Sequence, residues 1–417
     1  MNYKAPRGTR DIFGQTALGL SLLEQKAKEI FIKHGFEEVR TPIFEDAALF
    51  TRSIGEATDI VEKEMYILED RKGRKLALRP EGTASLARAF IEHRMDISNP
   101  AGKFFYSGEM FRYERPQAGR YRQFRQIGAE IYTSSSPAAD AEIIVLAQDV
   151  LSSLGIDKIN IHINSLGCEK CRPLFREALV KYFSSINDLC QDCIIRLEKN
   201  PLRLLDCKVD FCKFIAVPEM ADYLCGECKD NFDIVQFLLE KAGCQYSVNG
   251  KLVRGLDYYN RTVFEICSHA IGAQDVLAAG GRYDNLVKEL GGPSTPAVGF
   301  ALGAERVLLA AQSAGFLDNL KPSERIFVAI ADQELFGEAF VFAQKIAKDG
   351  FDNNKNISVF GPVNGKSLTN QLKFADKIQI SKVVVFAKIE FENGKVLIKD
   401  MKNKTQIEKL LTELIDC

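Results

Sequence analysis

Three arginines in two separate segments of the chain have the residue type and the setting that phosphate binding requires. Arg112 lies in the segment FRYE (111–114), Arg120 follows it after a short loop, and Arg306 ends the segment GFALGAER (299–306). A guanidinium group presents several N–H donors in one plane, which holds phosphate oxygens in a fixed geometry. One arginine in a strand is more often salt-bridged or solvent-facing than catalytic, so the prediction of a phosphate site rests on the three together.

A predicted β-hairpin positions the first two arginines. The pattern of residues 103–131 predicts two antiparallel strands, the first reaching Arg112 and the second starting near Phe124. The polar loop RPQAGR (115–120) joins them. Because successive side chains of a strand point to opposite faces, Arg112 and Glu114 should share one face.

Two glycines predict how the third arginine is presented. Gly299 and Gly303 have no Cβ, so the backbone there could approach a flat ligand closely. A helix that carries Arg306 is predicted to begin directly afterwards. The two distant segments would then have to meet at one ligand.

Helix and strand patterns also occupy most of the remaining chain. A helix at 138–154 and a strand at 159–163 follow the hairpin, and from 324 onwards strands alternate with helices as in a parallel sheet covered by helices. The turn of a closing hairpin is predicted at 392–394, because Asn-Gly favours the tight turn that matches strand twist. Near the N-terminus an amphipathic helix is predicted to end at Gly35. Its predicted apolar face consists of Leu18, Leu22, Leu23, Ala27, Ile30 and Phe31.

The composition is that of a globular chain with more than one domain. The chain has 417 residues, 46% hydrophobic and 27% charged, with a net charge of -1. This balance argues against a surface coated with basic charge for sequence-blind nucleic-acid binding. No apolar run approaches the roughly 20 residues of a membrane span, and we expect neither a secretory signal nor a membrane partner. We therefore expect a cytoplasmic enzyme.

The chemistry-bearing segments together resemble the three signature motifs of class II aminoacyl-tRNA synthetases. GFEEVRTPI (35–43) resembles motif 1, the helix, strand and proline of the dimer interface. Residues 111–124 resemble motif 2, and residues 299–306 resemble motif 3. Motif 1 is degenerate, whereas motifs 2 and 3 in this order, with an α/β domain behind them, are specific.

Further peptides narrow the resemblance to the histidyl-tRNA synthetase family. LVRGLDYYNRTVFE (252–265) and AGGRYD (279–284) resemble the two peptides that are diagnostic of this family. RPEGT (79–83) and QFRQIGAE (123–130) match the family as well. The resemblance extends over nearly the whole chain, from PRGT (6–9) to the last domain.

The resemblance implies an α/β (α+β) fold with two domains. A class II catalytic domain at 1–320 would be built on an antiparallel sheet with helices, and would carry a small helical Cys-rich insertion at about 167–232. A C-terminal α/β domain at 324–417 would bind the anticodon. The implied activity is that of a histidine–tRNA ligase. Such an enzyme activates L-histidine with ATP to histidyl-adenylate and pyrophosphate, and then transfers histidine to the 3′ end of tRNA-His.

The resemblance also assigns an ATP site. The implied ATP-binding residues are Arg112, Glu114, Arg120, Phe124, Gly303 and Arg306. Arg112 would clamp the α-phosphate and the substrate carboxylate, while Arg120 and Arg306 would hold the bent β- and γ-phosphates and Glu114 would help to place the adenine. Phe124 and Arg306 would stack on the two faces of the adenine.

Arg254 has a separate implied role. It resembles the family residue that contacts the α-phosphate opposite Arg112, at a place where sister enzymes hold a metal ion. The two arginines are therefore the implied catalytic residues. The alternative interpretation of Arg254 is a structural ion pair with Asp257.

The implied histidine pocket must bind an imidazole, which offers one N–H donor and one acceptor when neutral. Glu130 and Tyr259 would read the two ring nitrogens, Tyr258 would line the pocket, and acceptors including Gln126 would surround the α-amino group. Polar contacts of this kind discriminate strongly, because a wrong ligand leaves buried groups unpaired. The full implied set is Glu81, Thr83, Arg112, Gln126, Glu130, Arg254, Tyr258 and Tyr259.

Several partners follow from the same resemblance. The acceptor end of tRNA-His would contact the motif 2 loop, where Arg115 and Gln117 are candidate readers, although a solvated loop explains both residues nearly as well. A homodimer is implied by motif 1. ATP would be used with Mg2+.

Close cysteine pairs mark the predicted insertion as a candidate metal-binding region. The chain has 11 cysteines, and eight of them form four pairs: Cys168 and Cys171, Cys190 and Cys193, Cys207 and Cys212, Cys225 and Cys228. Four thiolates make a tetrahedral zinc site, so eight could make two structural zinc sites. Reduced, partly buried thiols are the alternative, since the reaction itself needs no zinc.

Two other functions are compatible with parts of the pattern. One is a synthetase-like regulatory subunit of the histidine-biosynthetic phosphoribosyltransferase, a binding module that usually lacks the last domain and the full set of arginines. The other is a synthetase for proline, threonine or glycine, which the RGLDYY peptide (254–259) opposes.

Overall fold

The amphipathic segment near the N-terminus folds into a helix, α1 (Gly14–Lys33), and its apolar stripe is buried. The buried residues of α1 are Gly19, Leu20, Leu23, Ala27 and Phe31. The prediction that Leu18 belongs to this stripe is wrong, because Leu18 lies about 200° around the helix from Leu20 and is 51% exposed. Gly35, with a φ of 81°, follows the end of the helix as predicted.

The computed structural model describes residues 3–55, 58, 60–207, 209, 217–268, 276–318, 324–352 and 357–414. The chain divides into two units, Met1–Asn319 and Leu320–Cys417.

The first unit contains most of the helices and strands. After α1 they are β1 (Glu37–Glu38), β2 (Phe44–Asp46), α2 (Ala47–Ile54), β3 (Ile67–Glu69), β4 (Lys75–Leu78), α3 (Thr83–Glu92), α4 (Met95–Ser98), β5 (Lys103–Phe111), β6 (Gln123–Tyr132), α5 (Pro137–Ser152), β7 (Asn160–Ser165), α6 (Cys171–Phe183), α7 (Gln191–Lys199), α8 (Gly226–Lys241), β8 (Tyr246–Val248), β9 (Asn260–Cys267), β10 (Val276–Arg282), α9 (Leu286–Glu289), β11 (Ala297–Gly303) and α10 (Ala304–Ser313). A π-helical turn at Ile60–Glu64 and 3-10 turns at Pro201–Asp206 and Met220–Tyr223 complete the described elements.

An eight-stranded sheet is the framework of this unit. Its order is β1-β5-β6-β11-β10-β9-β7-β8, and all pairs are antiparallel except β1 with β5 and β7 with β8. The predicted hairpin is present as β5 and β6, and β11 lies beside β6 with Gly303 opposite Gln126. The sheet therefore brings the motif 2 and motif 3 segments side by side. A smaller sheet has the order β2-β4-β3.

The Cys-rich region is helical, as predicted, and has its own small core. Buried cysteines pack there with Phe175, Leu179, Phe183 and Met220. Helix α8 runs through the predicted end of the insertion at 232, because its later residues pack into the main core with α5.

The second unit is an α/β unit with a five-stranded sheet. Its elements are β12 (Glu324–Ile330), α11 (Phe336–Asp352), β13 (Ile357–Phe360), α12 (Leu368–Lys377), β14 (Lys382–Phe386), α13 (Lys388–Glu392), β15 (Lys395–Asp400) and β16 (Thr405–Leu410). The order is β13-β12-β14-β15-β16, with β12, β13 and β14 parallel, so the predicted β-α-β-α-β alternation is confirmed.

The turn of the closing hairpin lies at 401–404 and not at the predicted 392–394. Asn393 and Gly394 end the short helix α13, with Gly394 at a φ of 69° and its N–H donating to the carbonyl of Phe391. Asn-Gly tolerates left-handed backbone angles at a helix end as well as in a turn, which is why the motif alone misled the prediction. The hairpin joins β15 and β16 instead, and Asp400 accepts hydrogen bonds from the backbone N–H groups of its turn. In the described part of the chain no helix is both long enough and apolar enough to span a membrane.

A buried ion pair locks the end of β10 against α5. Arg282, in the AGGRYD peptide, and Asp140 are both 0% exposed, and the guanidinium donates to both oxygens of the Asp140 carboxylate. It also donates to the carbonyls of Ser134 and Ser136. This arginine therefore has a structural role and does not line the candidate site.

Removal of one partner should leave the other charge buried without compensation. We expect Arg282→Met to lower the free energy of unfolding by about 3–5 kcal/mol, measured by urea denaturation followed by circular dichroism. The double variant Arg282→Met with Asp140→Leu should recover most of this loss, because neither charge then remains. Equal stability of Arg282→Met and the unaltered chain would show that the pair does not lock the strand.

Candidate active site

A polar cavity of about 730 Å³ opens in the first unit at the meeting point of β6, β10, β11 and the loop before β9. Twelve of the fifteen residues predicted for ATP, histidine and tRNA line this cavity: Glu81, Thr83, Arg112, Glu114, Arg120, Phe124, Gln126, Arg254, Tyr258, Tyr259, Gly303 and Arg306. Segments that lie far apart in sequence thus converge, as the arginine pattern required. Glu130, Arg115 and Gln117 are not part of the lining.

Arg112 lies just beyond the end of β5, whereas the prediction placed it within the strand. Its backbone N–H still pairs with the carbonyl of Arg122, at 2.9 Å, so the extended conformation continues. Its Nε donates to the carbonyl of Pro80 at 2.8 Å, and its Cζ lies 5.3 Å from the centroid of the Phe124 ring. These contacts fix the guanidinium while it lines the cavity.

Arg120 and Arg306 are held by similar contacts on the motif 2 and motif 3 side. An Arg120 nitrogen lies 3.4 Å from the Glu114 carboxylate. Arg306 donates from Nη1 to the carbonyl of Val276 at 3.0 Å and from Nε to that of Gly119 at 3.4 Å. Both arginines are therefore positioned by protein groups at the edge of the cavity.

Arg254 pairs with Glu265, so the ion pair with Asp257 considered from the sequence is wrong. Its Nη1 donates to the Glu265 carboxylate, and its Nε is buried with no hydrogen-bond partner among the described residues. Burial is the largest single influence on the pKa of this guanidinium and lowers it, but the combined effect of Glu265, Tyr259, Tyr258 and Asp206 raises the pKa overall. Arg254 therefore stays charged, and its Nε meets no acceptor in the part of the chain that the structure describes.

Two buried acceptor groups, those of Glu81 and Gln126, are part of the cavity wall. Glu81 is buried at the start of α3 and accepts the N–H groups of Thr83 and Ala84 at 2.7 and 2.8 Å. Burial raises its pKa, against the lowering effect of these two hydrogen bonds. The Oε1 atom of Gln126 is buried with no partner among the described residues. A ligand ammonium group would satisfy both groups.

Glu130 is one layer behind the cavity wall. It is 0% exposed and accepts hydrogen bonds from the Thr83 hydroxyl at 2.8 Å and the Tyr283 hydroxyl at 2.5 Å. Burial raises its pKa to about 8, with these two hydrogen bonds opposing the shift. In this structure its carboxyl group therefore holds the wall in place and does not face the cavity.

The missing side chain of Gly299 makes room for the Glu130 carboxylate and not for a ligand. It lies opposite Glu130 in the β6–β11 pair, and a Cβ at Gly299 would overlap the Glu130 carboxylate. The prediction that Gly299 admits a flat ligand is thus wrong, whereas Gly303 does line the cavity.

Arg115 and Gln117 lie in the exposed loop between β5 and β6. The loop closes at its tip, where the backbones of Gln117 and Arg120 exchange two hydrogen bonds of 3.1 and 2.9 Å. Both side chains are accessible to a large ligand.

Several cavity residues were not found from the sequence. Glu265 and Glu305 line the cavity as partners of other residues, Glu305 by accepting the N–H of Arg125. Arg203 and Cys207 bring the insertion into the wall. Glu265, Glu305 and Cys207 lie in segments already singled out, but those patterns gave them no place in the cavity, and only the alternation of β9 could have placed Glu265 on a defined face.

The insertion holds two groups of neighbouring thiols. Cys168, Cys171, Cys225 and Cys228 form the first thiol cluster, and Cys190, Cys193 and Cys207 form the second. Within each cluster all sulfur atoms lie within 4.8 Å of one another. Cys212, predicted as a further ligand, lies outside the described residues. A tetrahedral ion with Zn–S bonds of about 2.3 Å places its sulfurs roughly 3.8 Å apart.

The sulfur distances match that geometry. Cys168 Sγ lies 3.7 Å from Cys171 Sγ and 3.9 Å from Cys225 Sγ, and Cys190 Sγ lies 3.6 Å from Cys207 Sγ. Backbone N–H groups donate to sulfur in both clusters, to Cys171 at 3.1 Å and to Cys207 at 3.4 Å. Such donors favour thiolates, and these separations exclude disulfide bonds.

Comparisons with known proteins point in one direction. A family model described as histidyl-tRNA synthetase matches residues 8–170 and 217–307. The histidine–tRNA ligase of Endomicrobium trichonymphae is 72% identical over 413 residues, which cover 99% of this chain and 100% of that one. The histidine–tRNA ligase of Aquifex aeolicus (strain VF5) is 47% identical over 418 residues, with coverage of 99% and 100%.

Solved structures agree with the sequence relatives. The crystal structure of apo S. aureus histidyl-tRNA synthetase matches with a TM-score of 0.82 at 32% identity, covering 100% of this chain and 99% of that one. An ATP phosphoribosyltransferase regulatory subunit/histidyl-tRNA synthetase from Bacillus halodurans C matches with a TM-score of 0.66 at 19% identity, covering 93% and 100%. The second likeness shows a shared fold alone, so it does not favour the regulatory-subunit alternative.

The buried Glu130 predicts a specific dependence of stability on pH. The folded chain keeps a proton at Glu130 up to about pH 8, whereas an unburied glutamate loses it near 4.5. The free energy of unfolding should therefore fall as the pH rises through this window. We expect Glu130→Gln to reduce the fall between pH 5 and pH 8 by roughly 2–4 kcal/mol.

Urea denaturation at several pH values measures this effect. Glu69→Gln, at an exposed strand position, is the matched control and should keep the pH dependence of the unaltered chain. The same slope in all three proteins would show that Glu130 is ionised at neutral pH in the folded chain.

Proposed function

The chain belongs to the histidyl-tRNA synthetase family and charges histidine tRNA, and we propose that the polar cavity is the site where L-histidine is activated by ATP. As an aminoacyl-tRNA synthetase it uses ATP and Mg2+. The observation that carries the proposal is the convergence of Arg112, Arg120, Arg254 and Arg306 on one cavity that also holds buried acceptors.

In the first step the histidine carboxylate attacks the α-phosphorus of ATP, and pyrophosphate leaves with the electrons of the broken P–O bond. The transition state spreads negative charge over the phosphoryl oxygens, so positioning and preorganised positive charge provide most of the rate. Arg112 and Arg254 would contact the α-phosphate from two sides. Histidine then passes from the adenylate to a hydroxyl at the 3′ end of tRNA-His, and AMP leaves.

The remaining ATP contacts follow from the cavity walls. Arg120 and Arg306 would hold the β- and γ-phosphates, since both lie on the motif 2 and motif 3 side. Phe124 and Arg306 would stack on the adenine, and Glu114, already beside Arg120, would help to orient it. Gly303 would lie beside the nucleotide, since it lines the cavity next to the Arg306 side chain.

The histidine pocket would use hydrogen-bond acceptors that line the cavity. Glu81, Thr83 and the unpaired oxygen of Gln126 would surround the α-ammonium group. Tyr259 would contact one imidazole nitrogen, and Tyr258, whose ring centroid lies 4.6 Å from that of Tyr259, would line the pocket. Glu130 would read the second nitrogen only after moving, so in this structure we assign it to holding Thr83.

A histidine-dependent ATP–pyrophosphate exchange assay tests the proposal. We expect Arg254→Ala to lower kcat about 100- to 1,000-fold while the KM for ATP changes less than about threefold, because the contact forms mainly in the transition state. Arg71→Ala, at an exposed turn, is the control and should behave as the unaltered chain. Exchange driven by another amino acid and not by histidine, or an unchanged kcat for Arg254→Ala, would contradict the proposal.

We also propose structural zinc at the two thiol clusters. The first has four thiols within bonding range of a single tetrahedral ion, and the second has three, to which Cys212 would add a fourth. The ion would be structural, because four thiolates leave no open coordination position. Hydrogen bonding between reduced thiols would produce similar sulfur distances, so metal content decides between the two.

Metal analysis of protein purified without chelators should give about two zinc ions per chain. Cys168→Ser and Cys190→Ser should each remove about one ion, whereas Cys244→Ser, outside both clusters, should remove none. Stoichiometry near zero in the unaltered chain would show that the thiols are not zinc ligands.

The tRNA and dimer contacts are proposed from position. Arg115 and Gln117 are exposed in the motif 2 loop, where the acceptor end would arrive, and their removal should raise the KM for tRNA-His. A homodimer would cover the apolar side chains of Phe44, Ile67 and Leu68, which are 50–55% exposed on the small sheet. Sedimentation as a monomer would contradict the dimer.

Domain roles and location complete the proposal. Residues 1–320 would form the catalytic domain and 324–417 would bind the anticodon. Loss of tRNA-His binding on deletion of 324–417 would support this role.

We place the protein in the cytoplasm, because charged tRNA is used in translation there and thiols stay reduced. Fractionation of cells tests this placement.

A further inference from the structure

The loop that connects β8 to β9 carries three of the proposed site residues. We call residues 254–259 the RGLDYY loop, after its sequence; it contains Arg254, Tyr258 and Tyr259. Within it the chain forms turns and bends and no regular hydrogen-bond ladder. Carbonyl groups in such a segment need donors from elsewhere, and the position of Arg254 depends on which donors hold them.

The Cys-rich insertion donates hydrogen bonds to the loop at three points, two at backbone carbonyls and one at a side-chain carboxylate. Arg203 Nη1 donates to the Arg254 carbonyl at 3.1 Å, at the start of the loop. Asn200 Nδ2 donates to the Asp257 carboxylate at 2.8 Å, in the middle. Arg172 Nη1 donates to the carbonyl of the last loop residue, Tyr259, at 3.2 Å. Both ends and the centre of the loop are thus tied to the insertion.

The loop's own charge strengthens this attachment. Burial raises the pKa of Asp257, and Arg203, Arg172 and the hydrogen bond from Asn200 oppose the shift. Arg203 is only 9% exposed, so solvent screens its charge less than that of a surface arginine. The insertion therefore holds the RGLDYY loop by charge as well as by hydrogen bonds.

Each donor lies within seven residues of a cysteine of the thiol clusters. Arg172 follows Cys171 directly, at the start of α6. Asn200 and Arg203 lie between Cys193 and Cys207, Arg203 within the 3-10 turn Pro201–Asp206. The three side chains therefore extend from segments that also carry the clustered thiols.

We infer that Arg172, Asn200 and Arg203 are positioning residues for the activation step, through which the Cys-rich insertion sets the placement of Arg254 and Tyr259. The inference rests on the proposed roles of Arg254 and Tyr259 in that step. Arg203 acts on the arginine that contacts the α-phosphate, so it affects kcat. Arg172 acts on the tyrosine that contacts the imidazole, so it affects the KM for histidine.

A double-variant cycle on histidine-dependent pyrophosphate exchange tests the inference. Arg203→Met should lower kcat about 10- to 100-fold with the KM for ATP within about threefold, because small misplacement of a catalytic group is costly. In an Arg254→Ala background Arg203→Met should have little further effect, since it acts through Arg254. Arg203→Lys keeps a donor and should recover part of the rate.

Arg172 has a different expected readout. Arg172→Met should raise the KM for histidine about five- to twentyfold with a smaller change in kcat. Arg176→Met, four residues further along α6 and exposed, is the matched control and should leave both constants unchanged. Hydrogen exchange should rise in peptides covering the RGLDYY loop in both Arg203→Met and Arg172→Met, while the thermal midpoint of the whole chain stays close to that of the unaltered protein.

The possible failures can be told apart. An unchanged kcat in Arg254→Ala overturns the proposed role of Arg254. A slow Arg254→Ala together with a fully active Arg203→Met, or full additivity of the two, overturns the positioning inference alone. If Arg203→Met does not fold, Asn200→Ala takes its place in the same cycle, with a three- to tenfold expected loss of kcat, and full activity there again overturns the inference.

Discussion

Mutual repulsion of like charges is the constraint on which this site depends. Among the arginines that line the cavity are the four proposed to contact ATP, and each of these needs a protein partner that fixes it before any phosphate arrives. Arg112 uses the carbonyl of Pro80, Arg306 uses that of Val276, and Arg254 uses the carboxylate of Glu265. Among the described residues the contacts of Arg112 and Arg254 engage only part of each fork, so the groups that hold these two arginines still permit them to bind a polyanion.

The sheet explains how such distant segments meet. β6 lies between β5 and β11, so the strand ends that carry Phe124, Gln126 and Gly303 share one edge of the cavity. The buried Arg282–Asp140 pair fixes β10 to α5 behind that edge. The carboxyl group of Glu130 then braces the wall through Thr83 and Tyr283. The contacts that pack the framework therefore also determine the geometry of the site.

The sequence carried much of this information, and the exceptions have physical causes. The resemblance to the family's motifs implied twelve of the cavity residues, because the segments that carry them contain recognisable peptides. Glu265, Tyr283 and Arg203 were missed because their roles come from neighbours distant in sequence. Gly299 and the Asn393-Gly394 pair were misjudged for a different reason. A glycine in the sequence indicates that the backbone can adopt unusual angles or approach another group closely, but it does not indicate which turn, helix end or neighbouring side chain requires this. Arg254 was recognised, but its partner could not be read from spacing.

The central claim is that these arginines converge on one nucleotide beside a pocket for histidine, and a crystal structure with a non-hydrolysable histidyl-adenylate analogue tests it most directly. We predict Arg112 and Arg254 nitrogens within about 3.2 Å of oxygens on the phosphate or its substitute, with the imidazole beside Tyr259. A ligand bound elsewhere, or one whose phosphate lies beyond hydrogen-bond reach of both guanidinium groups, would contradict the claim.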